Sequence, residues 1–263
     1  MATDWLALCR AAAEDVHGVL AELPTRAERE RVVGHGEGGD DTTAIDAAAE
    51  RVILARFAGL DATIVSEEVG QSGSGSTRVV IDPIDGSLNA KRGIPFFAVS
   101  IAVADGETMD GVHFAFVHDL GSGEEWTARR GEGVWLNGEP LPEQLPKEQI
   151  ELLAFEATLT REVAEKAAAF NGIAHRFRIM GSLALSLCHL SAGRLDAVCS
   201  LKPYRSVDVA AGQLLARERG LVVANADGDS TFGDAPLDLV PRSRIAAAGT
   251  DDVCRRVIAA LSA

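Results

Sequence analysis

A β-branched run that ends in two aspartates and a proline constrains this chain more than any other feature. Val79-Val80-Ile81 reads as a buried strand, and Asp82-Pro83-Ile84-Asp85-Gly86-Ser87 follows it directly. Pro83 has no N–H to give to a ladder, so the chain is expected to leave the sheet at Asp82. Two carboxylates are then held near a strand end, and the freed Ile84 carbonyl is able to face the same point. Hard oxygen donors of this kind suit Mg²⁺. Gly86-Ser87, as a tight loop entering a helix, offers backbone N–H groups to an anion. A metal cluster beside a phosphate cradle is the outline of a phosphatase.

The rest of the composition narrows the choices. With 263 residues and 47% hydrophobic content, the chain has ample material for one large domain or two tightly joined halves. Aromatic residues make up only 5%, so aliphatic side chains and alanine must fill the core. A net charge of −14 disfavours nucleic-acid binding, which needs lysine and arginine on phosphates. The same charge would repel an anionic substrate unless bound cations offset it locally. No apolar stretch is long enough to span a membrane, and the N-terminus lacks a basic region before an apolar run. The four cysteines (Cys9, Cys188, Cys199, Cys254) form no Cys-x-x-Cys pair, so reduced thiols in a cytoplasmic protein are expected. The six histidines lack metal-ligand spacing, which argues against a zinc site.

Periodicity predicts a helix from Trp5 to Leu20 that ends near Pro24, and a second from Thr43 to Phe57. Gly34–Gly39 and Gln71–Thr77 read as loops. Strands are expected at Ala62–Val65, Val79–Ile81, Phe96–Val103 and Gly111–Val117, with a hairpin region from Glu125 to Leu141 turning at Asn137-Gly138. The proline-rich stretch Pro140–Gln149 reads as a junction between an N-terminal half (1–140) and a C-terminal half (141–263). Beyond it, helices are expected at Arg161–Phe170, Leu183–Ser191, Val207–Arg219 and Asp251–Leu261. Arg194–Cys199 leads into a strand, and Leu221–Ala224 reads as another. This order predicts a layered α/β or α+β fold.

Four acidic clusters stand out: Asp40-Asp41-Thr42-Thr43-Ala44-Ile45-Asp46, Ser66-Glu67-Glu68, the Asp82–Ser87 motif, and Ser206-Val207-Asp208. Each has a purely structural explanation. Asp46 and Asp208 would suit the first turn of a helix, with Ser206 as a cap for the second. Glu67 and Glu68 could form a solvated strand end, and Asp82 and Asp85 an Asx-type turn. Two of the clusters, however, terminate buried strands, where α/β folds place their sites.

Taken in order, these motifs resemble the inositol monophosphatase family, the Mg²⁺-dependent sugar and polyol phosphatases. The signatures are Asp82–Ser87 with Asn89 and Gly93-Ile94-Pro95-Phe96-Phe97-Ala98-Val99-Ser100, then Asp208-Val209-Ala210-Ala211-Gly212 with Glu218-Arg219-Gly220. The compact members acting on both inositol monophosphate and fructose bisphosphate are the most similar in character. The resemblance implies an αβαβα sandwich with two mixed sheets between helical layers. It implies two or three Mg²⁺ ions held by Glu67, Asp82, the Ile84 carbonyl, Asp85 and Asp208, and phosphate bound at Gly86 and Ser87. Asp46 and Ser87 would position the attacking water and act in catalysis with Glu67, while Asp85 and Asp208 would also face the substrate. Glu68 would orient the inner ligands. A homodimer is a further implication.

The chain departs from the family pattern at four places. Ser87 replaces the usual threonine, Val207 a tryptophan, and Gly220-Leu221 a pair of glycines. Leu201 stands where the animal inositol enzymes carry a glutamate that contacts the inositol ring. Nearby Lys202, Tyr204 and Arg205 form either a solvated turn around Pro203 or a cationic wall, with Lys202 and Arg205 binding substrate. The first expectation is therefore phosphomonoester hydrolysis of inositol monophosphate or a similar polyol phosphate. Fructose 1,6-bisphosphatase or dual activity is the alternative. Histidinol phosphate and 3′-phosphoadenosine phosphates rank below it, as does a non-catalytic interaction protein that has kept the fold.

Overall fold

The computed structural model describes residues 3–37, 39, 41–143, 147–156 and 159–263. Asp40 of the first acidic cluster, Gly38 of the first glycine-rich stretch and Pro146 of the proline-rich junction lie outside them. The chain begins with α1 (Trp5–Glu22), α2 (Arg26–Arg29), a ribbon of β1 (Val32–His35) and β2 (Asp41–Thr43), and α3 (Ala44–Phe57). Next come β3 (Ala62–Ser66), β4 (Gly70–Gly73), β5 (Thr77–Asp85), α4 (Ser87–Arg92), β6 (Ala98–Asp105), β7 (Val112–Asp119), β8 (Glu125–Arg129), β9 (Gly133–Leu136) and β10 (Glu139–Pro140). The remainder is β11 (Ile150–Glu156), α5 (Thr160–Lys166), β12 (Ala174–Arg178), α6 (Leu183–Ser191), β13 (Ala197–Ser200), α7 (Ser206–Glu218), β14 (Val222–Asn225), β15 (Ile245–Ala248) and α8 (Asp251–Ser262).

Among the described residues, β3 to β10 form an eight-stranded sheet in the order β10-β9-β8-β7-β6-β5-β3-β4, with β3 and β5 parallel. β11 to β15 form a five-stranded sheet in the order β12-β11-β13-β15-β14. Alternation along each strand sends side chains to two separate cores. Val79, Ile81, Val99, Ile101 and Val103 face α1 and α3, in one cluster with Val16, Ile45 and Ile53. Val80, Ala98, Ala102 and Ala115 face the other way, onto α6 and α7. The second sheet repeats the scheme. Ala154, Val198 and Ala247 join the α6/α7 core, whereas Leu153, Phe155, Cys199 and Ala246 pack with Val253 and Val257 of α8. The result is a five-layer αβαβα sandwich whose sheets are covered on both faces, which explains strands apolar along their whole length.

Several sequence expectations need correction. The chain does not leave the sheet at Asp82. β5 continues to Asp85, pairing Asp82 with Ser100 and Asp85 with Ala98, with a register shift between them. The proline is accommodated because Pro83 lies in that bulge, where the ladder requires no N–H. The stretches read as loops around Gly34 and Gln71 contain β1 and β4. Both strands are largely exposed, so pairing of their backbones with β2 and β3 holds them rather than side-chain burial. Ser206 does not cap α7. Arg205 is the N-cap, and Ser206 Oγ donates to the Asp238 carbonyl at 2.7 Å.

Candidate active site

Parallel pairing of β3 and β5 places their carboxyl ends side by side, with Ser66 opposite Ile81. Glu67 therefore emerges next to the Asp82–Asp85 bulge. The start of α7, which packs against β5, β6 and β7, delivers Asp208 to the same place. Asp82 is 1% exposed and Asp85 8% exposed. Asp82 Oδ1 accepts from the Ile84 N–H at 3.0 Å, so this carboxylate also closes an Asx turn within the bulge. Asp85 Oδ2 accepts from Ser182 Oγ at 2.5 Å and from the Ala184 N–H at 2.7 Å. The N-terminus of α6 thus orients Asp85, as a helix start favours a carboxylate.

A guanidinium stands among these acids. Arg205 Nη2 lies 2.7 Å from Glu67 Oε1 and 3.1 Å from Asp208 Oδ1. The Arg205 N–H also donates to Asp208 Oδ2 at 2.6 Å. Burial pushes the Glu67 carboxyl up to about 7, with Arg205 opposing and Asp208 and Glu68 adding to the rise. Burial lifts Asp85 to about 6, against the pull of the Ser182 hydrogen bond. Asp82 is raised by burial and then by Glu67, Asp85 and Asp208. Burial works against the Arg205 charge, but Asp208 and Glu67 outweigh it and raise the pKa of the guanidinium. Among the described residues, no three His, Cys, Asp or Glu side chains converge as a preformed metal site. The acids are instead spread around the guanidinium. All-oxygen donors that are buried, mutually repulsive and already gathered by a cation fit a hard divalent metal ion.

The Gly86-Ser87 turn, expected from the sequence to hold an anion, lies at the end of β5. Gly86 has φ 91°, and a Cβ there would approach the Gly181 and Phe96 carbonyl oxygens to 3.0 Å, so only glycine suits the turn. Ser87 opens α4. Asp46 is the third residue of α3 and accepts from Thr43 Oγ1 at 2.5 Å, so the helix-start role expected of it is real. It has a second partner, since Lys91 Nζ lies 3.2 Å from Asp46 Oδ2 and 3.5 Å from Ser87 Oγ. Glu68 accepts from Thr42 Oγ1, and Glu50 holds the Glu68 and Val69 N–H groups at 3.1 Å each.

Beside the acids is a cavity of about 540 Å³, lined by Asp85, Asp208, Arg205, Lys202, Glu156 and Tyr204 among others. Lys202 is exposed, as a solvated turn around Pro203 would have it. Arg205 instead turns inward. Leu201 is 8% exposed and packs in the core between the second sheet and α8. Sequence reasoning missed Lys91, Ser182 and Glu156. Lys91 was within reach, because Ser87 and Lys91 are four apart and share a helix face. Ser182 precedes the α6 run as a cap residue would. Nothing local marks Glu156, which the register of the second sheet carries to the cavity wall.

A layered αβαβα sandwich that gathers carboxylates from two strand ends and a helix start beside an open cavity is the build of a phosphoric monoester hydrolase. The model of the inositol monophosphatase family matches residues 5–262, and the chain belongs to that family. It is 34% identical over 248 residues to the fructose-1,6-bisphosphatase/inositol-1-monophosphatase of Archaeoglobus fulgidus, covering 93% of each chain. It is also 34% identical over 211 residues to the Nus factor SuhB of Pasteurella multocida, covering 73% of this chain and 74% of that one. The crystal structure of an inositol monophosphatase–fructose 1,6-bisphosphatase superimposes with a TM-score of 0.86 at 26% identity, covering 98% of this chain and 100% of that one.

Proposed function

We propose that this phosphatase is Mg²⁺-dependent and hydrolyses inositol monophosphate or a similar polyol phosphate. The observation that carries the proposal is the pairing of Glu67 and Asp208 with Arg205 beside the buried Asp82 and Asp85, with Asp85 and Asp208 on the cavity wall. Those four carboxylates and the Ile84 carbonyl would hold two or three Mg²⁺ ions. Bound there, the metal would supply a more acidic water and neutralise charge that develops on the ester. The residues do the rest. Gly86 and Ser87 bind the phosphate through backbone N–H groups. Asp46 and Ser87 orient the attacking water, with Lys91 fixing the pair, and Glu67 assists. Asp85 and Asp208 face both the metal and the ester. No covalent phospho-enzyme is required.

A second reading has one specific observation behind it. Lys202 is exposed on the cavity wall. A cation there suits a second phosphate, as in fructose 1,6-bisphosphate, and the relatives named for both activities favour dual use. Free, buried cysteines suit a reducing compartment such as the cytoplasm, and the net charge of −14 suits a small phosphate ester better than a nucleic acid. Among the described residues no helix is long and apolar enough to cross a membrane. A homodimer is part of the same proposal. The test is a panel of phosphate esters, assayed with Mg²⁺ and with EDTA and ranked by kcat/KM. Release should need Mg²⁺ and fall by at least about a hundredfold in Asp85→Asn. Normal turnover in that variant would sink the site assignment.

A further inference from the structure

The side chain of Arg205 does something a surface arginine does not. Only 17% of it is exposed, and its two acidic partners are buried to a similar degree, with Glu67 at 19% and Asp208 at 17%. A group of acids this close is tolerable only with a counter-charge. A guanidinium keeps its proton at any ordinary pH, so it vacates the site only by moving. Its backbone is pinned, because the Arg205 N–H donates to Asp208 Oδ2 at 2.6 Å and its carbonyl accepts from the Asp208 N–H at 3.2 Å. Movement is therefore left to the side-chain torsions. The cavity of about 540 Å³ that Arg205 itself lines gives the side chain somewhere to go.

We propose that Arg205 is a resident cation of the Glu67–Asp208 pair, which a divalent cation must displace in order to bind. The inference rests on the metal-dependent reading above and adds a regulatory element to it. The metal-free chain keeps its acids paired and folded without a metal ion. Metal affinity is then set by an exchange of cations, and it is lower than the bare carboxylates would give. Once displaced, the guanidinium enters the cavity near Lys202, on the side from which an anionic ester approaches. Metal and anion thereby strengthen each other's binding, and by linkage the effect is reciprocal.

The test uses the full chain as wild type, Arg205→Ala and Arg205→Gln, the last to keep hydrogen bonding without charge. Isothermal titration with Mg²⁺ in metal-stripped protein reads the affinity, and thermal melting in EDTA reads the stability of the metal-free chain. Removing the competitor should tighten Mg²⁺ binding about tenfold or more, since apparent affinity is reduced by the fraction of sites already blocked. Both variants should melt lower than wild type in EDTA and gain more from added Mg²⁺. Inorganic phosphate should tighten Mg²⁺ binding in wild type and do so less in the variants. Unchanged or weaker Mg²⁺ affinity in both folded variants, with unchanged melting in EDTA, overturns the exchange. Asp85→Asn separates the two ideas. If wild type binds Mg²⁺ and this variant does not, a negative result at Arg205 counts against the exchange alone. If Asp85→Asn binds Mg²⁺ like wild type, or wild type binds none, the metal site itself is wrong and the exchange falls with it.

Discussion

Glu156 should become a liability as pH rises, and glutamine should remove it. The residue ends β11, is 1% exposed, and its two oxygens accept from Ser186 Oγ at 2.7 Å and from the Gly181 N–H at 2.9 Å. Burial lifts its carboxyl from 4.5 to about 8, more than those hydrogen bonds lower it. The unfolded chain, with the ordinary value, gives up this proton first. Stability is therefore intact below about 4.5, falls as pH rises toward about 8, and stays low above it. Glutamine copies the protonated acid: its oxygen accepts from Gly181 and its amide donates to Ser186. Between pH 5 and pH 8 the wild type should lose on the order of 2–4 kcal/mol relative to Glu156→Gln. At a urea slope of about 2–3 kcal/mol per molar, the two midpoints should separate by roughly 1 M over that range. Urea titrations in EDTA at both pH values give the answer. A gap between the two proteins that is the same at pH 5 and pH 8 would refute the placement of this titration.

Three further outcomes are expected. Lys91→Met should lower kcat on the order of tenfold or more, with partial recovery in Lys91→Arg, because it strips the cation from Asp46 and Ser87; steady-state phosphate release that does not change would remove Lys91 from the site. Gly212→Ala should destabilise by about 1–3 kcal/mol, since a Cβ there would meet Leu187 Cδ1 at 2.7 Å between α6 and α7, and an unmoved melting temperature would show that the two helices part freely. His17 and His118 face each other Nε2 to Nε2 at 3.0 Å, and burial followed by the His17 charge lowers the His118 pKa. Stability from His118 is thus complete above the ordinary histidine value of 6.5 and should be lost as pH falls through and below it. His118→Gln should flatten that loss in acid denaturation curves.

Much of this molecule is legible residue by residue. The spacing of Leu8, Cys9, Ala12 and Val16 marks α1 as an amphipathic helix with one face to bury. Asn137-Gly138 makes a tight turn, with φ of 54° and 80°. Other elements carry no such mark. β15 is Ile245 followed by three alanines, and β12 is a largely polar edge strand, Ala174-His175-Arg176-Phe177-Arg178. Both are strands because neighbours offer a ladder, and β propensity is chiefly a matter of such context. The bulge at Pro83 belongs with them, since its place in the sheet depends on β6 opposite.

The same division runs through the site. The kinds of donor, a pair of aspartates at a buried strand end, a glycine that alone tolerates its turn, and acids near two helix starts, follow from local chemistry and are written in the chain. Which of those acids meet is a matter of long-range pairing. β3 beside β5 brings in Glu67, the middle helical layer turns Asp208 toward it, and the N-terminus of α6 orients Asp85. Arg205 illustrates the difference best. From its neighbours in sequence it reads either as part of a solvated turn around Pro203 or, with Lys202, as a cationic wall for substrate. The fold instead puts its charge between Glu67 and Asp208, because buried acids brought together across more than a hundred residues need a cation, and this one is within reach.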